Sequence, residues 1–180
     1  MKKFELTTEF ITNAFGKKLF RIKALVEFGN VKAGELGGYV EKEGNISQGG
    51  NAWVCDDARV YGDAWVCGNA RVYGNARVCG NAWVCDDAWV SGNARVYGNA
   101  RVYGDADYAL VQGFGTEFRC TTFYRGKNKK IMVNCGCFHG DLEEFRKRVK
   151  ETRNGKIAKE YLTIADLMEY HFASEDSSDE

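Results

Sequence analysis

A chain of 180 residues suits one elongated domain with small appendages, and its 25 Lys plus Arg balance its 25 Asp plus Glu, so no overall basic field draws it to nucleic acid. No stretch approaches the about 20 apolar residues of a membrane span, so no membrane partner is expected. The opening Met-Lys-Lys-Phe-Glu-Leu is not the apolar run of an export signal, and seven cysteines is an odd count; both predict a cytoplasmic protein with reduced thiols rather than a disulfide framework.

Phe4 to Phe10 and Leu19 to Val26 alternate apolar and polar residues around a turn at Asn13 to Gly16, which predicts a hairpin within an N-terminal cap over residues 1–32. Residues 33–112 carry a repeat. Cut in sixes over 51–104, the chain reads NAWVCD, DARVYG, DAWVCG, NARVYG, NARVCG, NAWVCD, DAWVSG, NARVYG, NARVYG. Position two is alanine and position four valine in all nine units, position one is Asn or Asp, and position six is Gly or Asp. Upstream, YVEKEG and NISQGG keep the frame, with Val40 and Ile46 where the repeats have alanine; a degenerate tenth unit, DADYAL, follows from Asp105.

Two inward positions per six residues fit neither a helix nor plain strand alternation. They fit short flat strands with a corner after each, where Gly, Asn and Asp tolerate positive φ. Three six-residue sides close a triangular coil of 18 residues, so residues 18 apart stack at about 4.8 Å. The pattern resembles the left-handed parallel β-helix of the hexapeptide-repeat proteins, with a small inward alanine preceded by Asn or Asp. It differs in setting glycine two residues after the valine rather than directly after it. The fold class expected is therefore mainly β, a left-handed parallel β-helix with an N-terminal hairpin cap and a small C-terminal α+β domain.

That C-terminal domain is read over 113–173. Phe118 to Tyr124 and Ile131 to Phe138 predict two strands joined by a basic loop, Arg125 to Lys130. Asp141 with Glu144 forms a capping box opening a helix whose apolar stripe is Leu142, Phe145 and Val149 and whose end is Asn154-Gly155. A second helix is expected from Ile157 to Tyr170, burying Tyr161, Ala165, Met168 and Phe172. Residues 174–180 are acidic and polar, a composition that predicts a disordered tail.

Hexapeptide β-helices are best known as trimeric acyltransferases, which use a histidine projecting from the coil as general base. Here His139 and His171 both lie outside the repeats, and no loop interrupts 51–104, so no catalytic residue is assigned and an enzyme is not expected. Cys120, Cys135, Cys137 and His139 could supply four zinc ligands, but alternate strand positions splay the Cys135 and Cys137 sulfurs, and such pairs are more often small buried hydrophobes. No metal or other cofactor is assigned.

Positions three and five point outward. One face stacks Arg59, Arg77 and Arg95 beside Tyr61, Cys79 and Tyr97; a second stacks Trp65, Trp83 and Arg101 beside Cys67, Cys85 and Tyr103; the third stacks Trp53, Arg71 and Trp89. Two readings stand. Such rows stabilise neighbouring strands, and Arg, Trp and Tyr are also the residues that dominate binding hot spots. The candidate binding residues are Arg59, Arg77, Arg95, Tyr61, Tyr97, Trp65, Trp83 and Arg101. Cation–π contact from Tyr61 and Tyr97, with acids such as Asp57, is expected to offset the stacked guanidiniums in part.

Arg21-Ile-Lys-Ala24, Val31-Lys-Ala-Gly-Glu-Leu-Gly-Gly-Tyr-Val40, Asn45-Ile-Ser47, the NARVYG units, Val133-Asn-Cys-Gly-Cys-Phe138, Asp141-Leu-Glu-Glu-Phe145 and Ala158-Lys-Glu-Tyr161 together resemble a family of small phage and prophage proteins, mostly without assigned activity. That resemblance implies a non-enzymatic protein in the host cytoplasm, a rigid β-helix that binds a host macromolecule and counters a host defence. A host protein is the expected partner, with nucleic acid second. An architectural or self-assembling coil, with a homo-oligomer, is the first alternative and an acyltransferase the next.

Overall fold

The computed structural model describes residues 1–104, 107–126 and 129–173. Nine two-residue strands form the coil: β4 (Trp53–Val54), β5 (Arg59–Val60), β6 (Trp65–Val66), β7 (Arg71–Val72), β8 (Arg77–Val78), β9 (Trp83–Val84), β10 (Trp89–Val90), β11 (Arg95–Val96) and β12 (Arg101–Val102). They pair in parallel every 18 residues, giving the faces β5-β8-β11, β6-β9-β12 and β4-β7-β10. Every alanine at position two and every valine at position four is buried. A β-branched residue fits the pleated side, and alanine fits where the triangular section leaves no room for more.

Corners follow from position six. Gly62 and Gly80 sit at φ 72°, and Asp56 and Asp86 adopt the same left-handed region at φ 53° and 55°, which Asp tolerates better than most side chains. At Gly68 (φ 65°) an added Cβ would lie 2.7 Å from the Asp86 nitrogen of the next coil, so stacking as well as φ demands glycine. Position-one amides run up the corners as polar ladders: Asn51 Nδ2 donates to Asn69 Oδ1 at 2.9 Å, and Asn69 Nδ2 to Asp87 Oδ1 at 3.0 Å.

The first coil departs from the frame. Strand β3 (Leu36–Val40) pairs in parallel with β5 through Val40↔Val60, and Ile46 bridges Val66, an offset of 20 residues. Val40 and Ile46 therefore stand on the valine stack, not in the alanine places expected for them. The next rungs are Ser47 N–H to the Val66 carbonyl and Asn51 N–H to the Gly68 carbonyl, so the lower coil spends two extra residues between them, across Gln48, Gly49 and Gly50. Those residues hold the N-terminus: Gln48 Oε1 accepts the Lys3 N–H at 2.7 Å, and Lys3 Nζ donates to the carbonyls of Gly49, Gly50 and Ala52 at 3.4, 3.3 and 2.9 Å.

Strands β1 (Phe4–Thr12) and β2 (Lys18–Ala24) form the expected hairpin, and β2 pairs antiparallel with β3, so the order β1-β2-β3-β5-β8-β11 extends one coil face into a mixed sheet. Phe4 and Phe28 pack edge-on against Trp53, with ring centroids 6.2 and 5.4 Å away. Trp53 is fully buried as a result, although its position in the repeat faces outward. The cap covers it.

Beyond the coil, β13 (Tyr108–Phe114), β14 (Arg119–Arg125), β15 (Ile131–Cys135) and β16 (Phe138–Asp141) make an antiparallel meander of four strands where two were expected. Asp105 and Ala106 of the expected tenth unit lie outside the described residues, and Tyr108 opens β13 instead. The expected strand to Phe138 breaks at Gly136 (φ 62°), and β16 begins there anew. In the basic connection, Arg125 pairs with Asp107 at 3.1 Å and Lys130 with Asp141 at 2.8 Å. Helices α1 (Leu142–Thr152) and α2 (Gly155–Phe172) cover the meander, and both halves of the Asp141–Glu144 capping box form at 2.9 Å. Leu142, Phe145, Val149, Tyr161, Ala165, Met168 and Phe172 are all buried. The tail from 174 lies outside the described residues.

One expectation about cysteine is corrected. Cys67 and Cys85 are disulfide-bonded, not free, because the 18-residue register brings their Cα atoms to 4.5 Å on adjacent coils. Cys55, Cys79, Cys120, Cys135 and Cys137 are free thiols.

Candidate functional site

The rows predicted from the repeat are present, and they differ in how their charges are met. On β6-β9-β12, Trp65 and Trp83 meet edge to face at 5.3 Å, and the Arg101 guanidinium lies 4.4 Å over the Trp83 ring. Arg101 also donates to the carbonyls of Asn81 and Ala100, both at 2.9 Å. This row satisfies itself and reads as a strand-stabilising ladder.

The row Arg59, Arg77, Arg95 is different. Its N-terminal continuation is neutralised: Arg21 bonds Tyr39 Oη at 2.9 Å and pairs with Glu9 at 3.4 Å, and Tyr39 donates to Glu9 at 3.0 Å. Past that point, among the described residues, no carboxylate lies within ion-pair distance of Arg59, Arg77 or Arg95. The expected cation–π relief from Tyr61 and Tyr97 does not form either, since the cation–ring contacts lie elsewhere. Instead Tyr61 meets Cys79, and Tyr97 meets Arg77, through their hydroxyls. Asp57 forms no ion pair among the described residues.

A cleft of about 490 Å³ opens beside this row. Arg59, Tyr61, Arg77, Cys79, Tyr97 and Gly98 line it from the coil, Asn13, Ala14 and Phe15 from the hairpin turn, and His139 from β16. Arg95 lies one coil further on, in an adjoining hollow with Arg119. Burial pushes the Tyr61, Tyr97 and Cys79 protons off only at raised pH, so all three groups are uncharged donors near neutrality. His139 Nε2 sits 3.1 Å from Tyr124 Oη, and its ring packs on Gly98, where a Cβ would approach it to 3.2 Å. The arrangement is a concave, hydrogen-bond-donating and electropositive surface. It suits carboxylate or phosphate oxygens, and its one thiol stays in the unreactive protonated form.

Sequence reasoning found Arg59, Arg77, Arg95, Tyr61 and Tyr97 because a fixed period stacks them. It missed Phe15 and His139, which reach the cleft from remote segments. The four metal-ligand candidates are not gathered: Cys120 donates to the Asn93 carbonyl at 3.4 Å, Cys135 accepts from Thr121 at 3.2 Å, and His139 faces Tyr124. Among the described residues no group of three or more His, Cys, Asp or Glu sits where it could hold a metal ion, and no helix is long and apolar enough to cross a membrane.

The stacked 18-residue coils with their glycine and aspartate corners make this chain a β-solenoid repeat protein. The family model described as YdcK Beta solenoid repeat matches it over residues 52–68, 64–80, 70–86 and 94–106. All of those segments belong to the repeat, so the likeness speaks for the coil and not for the caps. No curated protein matches the chain.

Proposed function

We propose that this β-solenoid is a non-enzymatic binding protein whose arginine row and adjoining cleft take an acidic segment of a protein partner. The observation that carries the reading is the set of three in-register guanidiniums without a carboxylate beside them, next to a cleft that presents further donors. The coil holds these groups before any partner arrives, so little ordering entropy is lost on binding. Tyr61 and Tyr97 are half-buried with their hydroxyls engaged, by Cys79 and Arg77, so neither ring stands free for base stacking. Asp56 and Asp57, at the corner that opens the arginine face, repel a long polyanion that runs past the cleft. A short acidic peptide or loop fits better than a nucleic acid strand. The setting we propose follows the family resemblance: a phage- or prophage-borne protein in the host cytoplasm, occupying a host protein surface and so countering a host defence.

Fluorescence anisotropy with a labelled poly-glutamate peptide and a single-stranded oligonucleotide of equal charge tests the reading. Peptide binding that weakens with salt and is lost in Arg59→Gln/Arg77→Gln/Arg95→Gln supports it. Preferential oligonucleotide binding makes the partner a nucleic acid, and binding of neither probe removes the site.

A further inference from the structure

A second basic pocket lies in the C-terminal unit, between the meander and α1, with a volume of about 200 Å³. Its rim carries three guanidiniums, from Arg119, Arg148 and Arg153, and one carboxylate, Glu117. Glu117 reaches only Arg119, at 3.8 Å, and among the described residues Arg148 and Arg153 enter no ion pair. The shortage is local. Two residues before Arg148, on the other side of α1, Arg146 is held by three carboxylates, from Glu143, Asp166 and Glu169 at 2.5, 2.8 and 2.7 Å. Acids are thus gathered where the two helices are clamped, and the rim is left with two uncompensated positive charges.

The rim is also pre-shaped. The Arg119 guanidinium lies across Gly136, whose φ of 62° favours glycine there. At the floor, the Tyr161 hydroxyl donates to the Phe114 carbonyl at 3.4 Å, close to the Cys135 thiol. Burial and Cys135 keep Tyr161 protonated, so the floor presents a neutral hydroxyl below the cationic rim.

Size and charge select the ligand. The volume falls below the about 300–1,000 Å³ of pockets for larger organic ligands. It admits a compact anionic head with a few carbons behind it. A phosphate monoester carries a charge of about −1.5 to −2 near neutral pH, which matches the surplus on the rim, whereas a single carboxylate would leave half of it unmet. Guanidinium forks also fit phosphoryl oxygens in pairs. We propose that the Arg119, Arg148 and Arg153 pocket binds a small phosphate monoester; Arg119 also lines the hollow of Arg95, whereas Arg59 and Arg77 of the coil row lie apart from it. The same dianionic group occurs on free small molecules and on phosphorylated side chains.

Calorimetric titration of the full chain, at constant ionic strength, with free O-phosphoserine and with a phosphoserine peptide tests this. Saturable 1:1 binding is expected, weakened about tenfold or more in Arg148→Gln/Arg153→Gln and in Arg119→Lys, and unchanged in the coil variant Arg59→Gln/Arg77→Gln. Equal affinity for both probes assigns the site to small molecules; tighter binding of the peptide assigns it to a phosphorylated side chain. Amide chemical shifts of the wild-type protein give an independent readout, expected to move at Thr116, Cys137 and Tyr161. The proposal is overturned by absence of saturable binding at millimolar probe, by shifts confined to the coil, or by equal loss in the coil variant.

Discussion

Asn134 donates through Nδ2 to the carbonyl of Arg95 at 2.8 Å, and this bond closes the last edge of the arginine-bearing sheet. Strand β11 has no further coil beyond it. Side chains of the meander replace the missing strand: Thr122 Oγ1 accepts the Arg95 N–H at 3.0 Å, and Cys120 donates to the Asn93 carbonyl at 3.4 Å. A solenoid end left open would present unpaired backbone to a second molecule. Asn134→Leu should therefore destabilise the fold by about 1–3 kcal/mol, the cost of a buried group without its partner. It should also favour association through the freed edge. Denaturant melts read the first effect and light scattering the second; a monomer of unchanged stability would show that the cap works by other contacts.

The Cys67–Cys85 bond closes a loop of 18 residues between two coils that backbone hydrogen bonds already hold, such as Cys67 N–H to the Val84 carbonyl at 3.0 Å. Reduction, or Cys67→Ser, is expected to cost about 2–4 kcal/mol on the loop-entropy account and to leave the coil folded. Thermal melts with and without reductant measure this. Under reducing conditions the pair opens to thiols, and the reduced value is the one that applies.

What could be read in advance follows from what repeats. Alanine and valine recur at fixed positions, so the core, the 18-residue period and the stacking of Arg59 on Arg77 on Arg95 were all legible. Val40 and Ile46 were misplaced because only the rungs beside them reveal the two residues added near Gln48. Trp53 read as an outward residue, since its burial depends on Phe4 and Phe28 arriving from outside the repeat. His139 and Phe15 carry no periodic signal at all. Their place at the cleft is a product of long-range docking of the two caps, which a local pattern does not encode.

Lys3 gives the N-terminal end a pH signature. Its side chain is almost fully buried, and burial lowers its pKa from 10.5 in the unfolded chain to about 8 in the fold. Between those values the unfolded chain holds more protons, so stability rises as pH climbs from about 8 toward 10.5; below about 8 both states are charged and the full burial penalty stands. The gain is on the order of 1–3 kcal/mol, reduced by the three carbonyls and by the Phe28 ring 4.8 Å away, all of which favour the ammonium. Buried thiols such as Cys79 and tyrosines such as Tyr61, protonated in the fold, pull the other way above about pH 8.5 and about pH 10, so the Lys3 effect is read as a difference from a variant that lacks it. From about pH 7.5 to about 9.5 the denaturant stability of the wild type should rise relative to that of Lys3→Met. Equal slopes would mean that the ammonium is not held apart from water.

The arginine row can be separated from an ordinary ladder by the sign of its effect on stability. Arg59, Arg77 and Arg95 stand directly opposite one another on adjacent strands, spaced by about 4.8 Å. Like charges in that position oppose pairing, each by about 0.2–1 kcal/mol. Arg77 is the middle member, so Arg77→Gln removes two such pairs and should hold or raise the melting temperature at low salt. The difference should shrink as salt shortens the screening length to about 10 Å at 0.1 M. Arg101 is the control. Its guanidinium lies over Trp83 and bonds the Asn81 carbonyl, so Arg101→Gln should lower the melting temperature and leave peptide capture intact. If Arg77→Gln instead lowers the melt as Arg101→Gln does, and capture of the acidic peptide survives, the row is a stabilising ladder and the binding reading fails. A steady or higher melt with capture lost leaves binding as the reason for three arginines at that address.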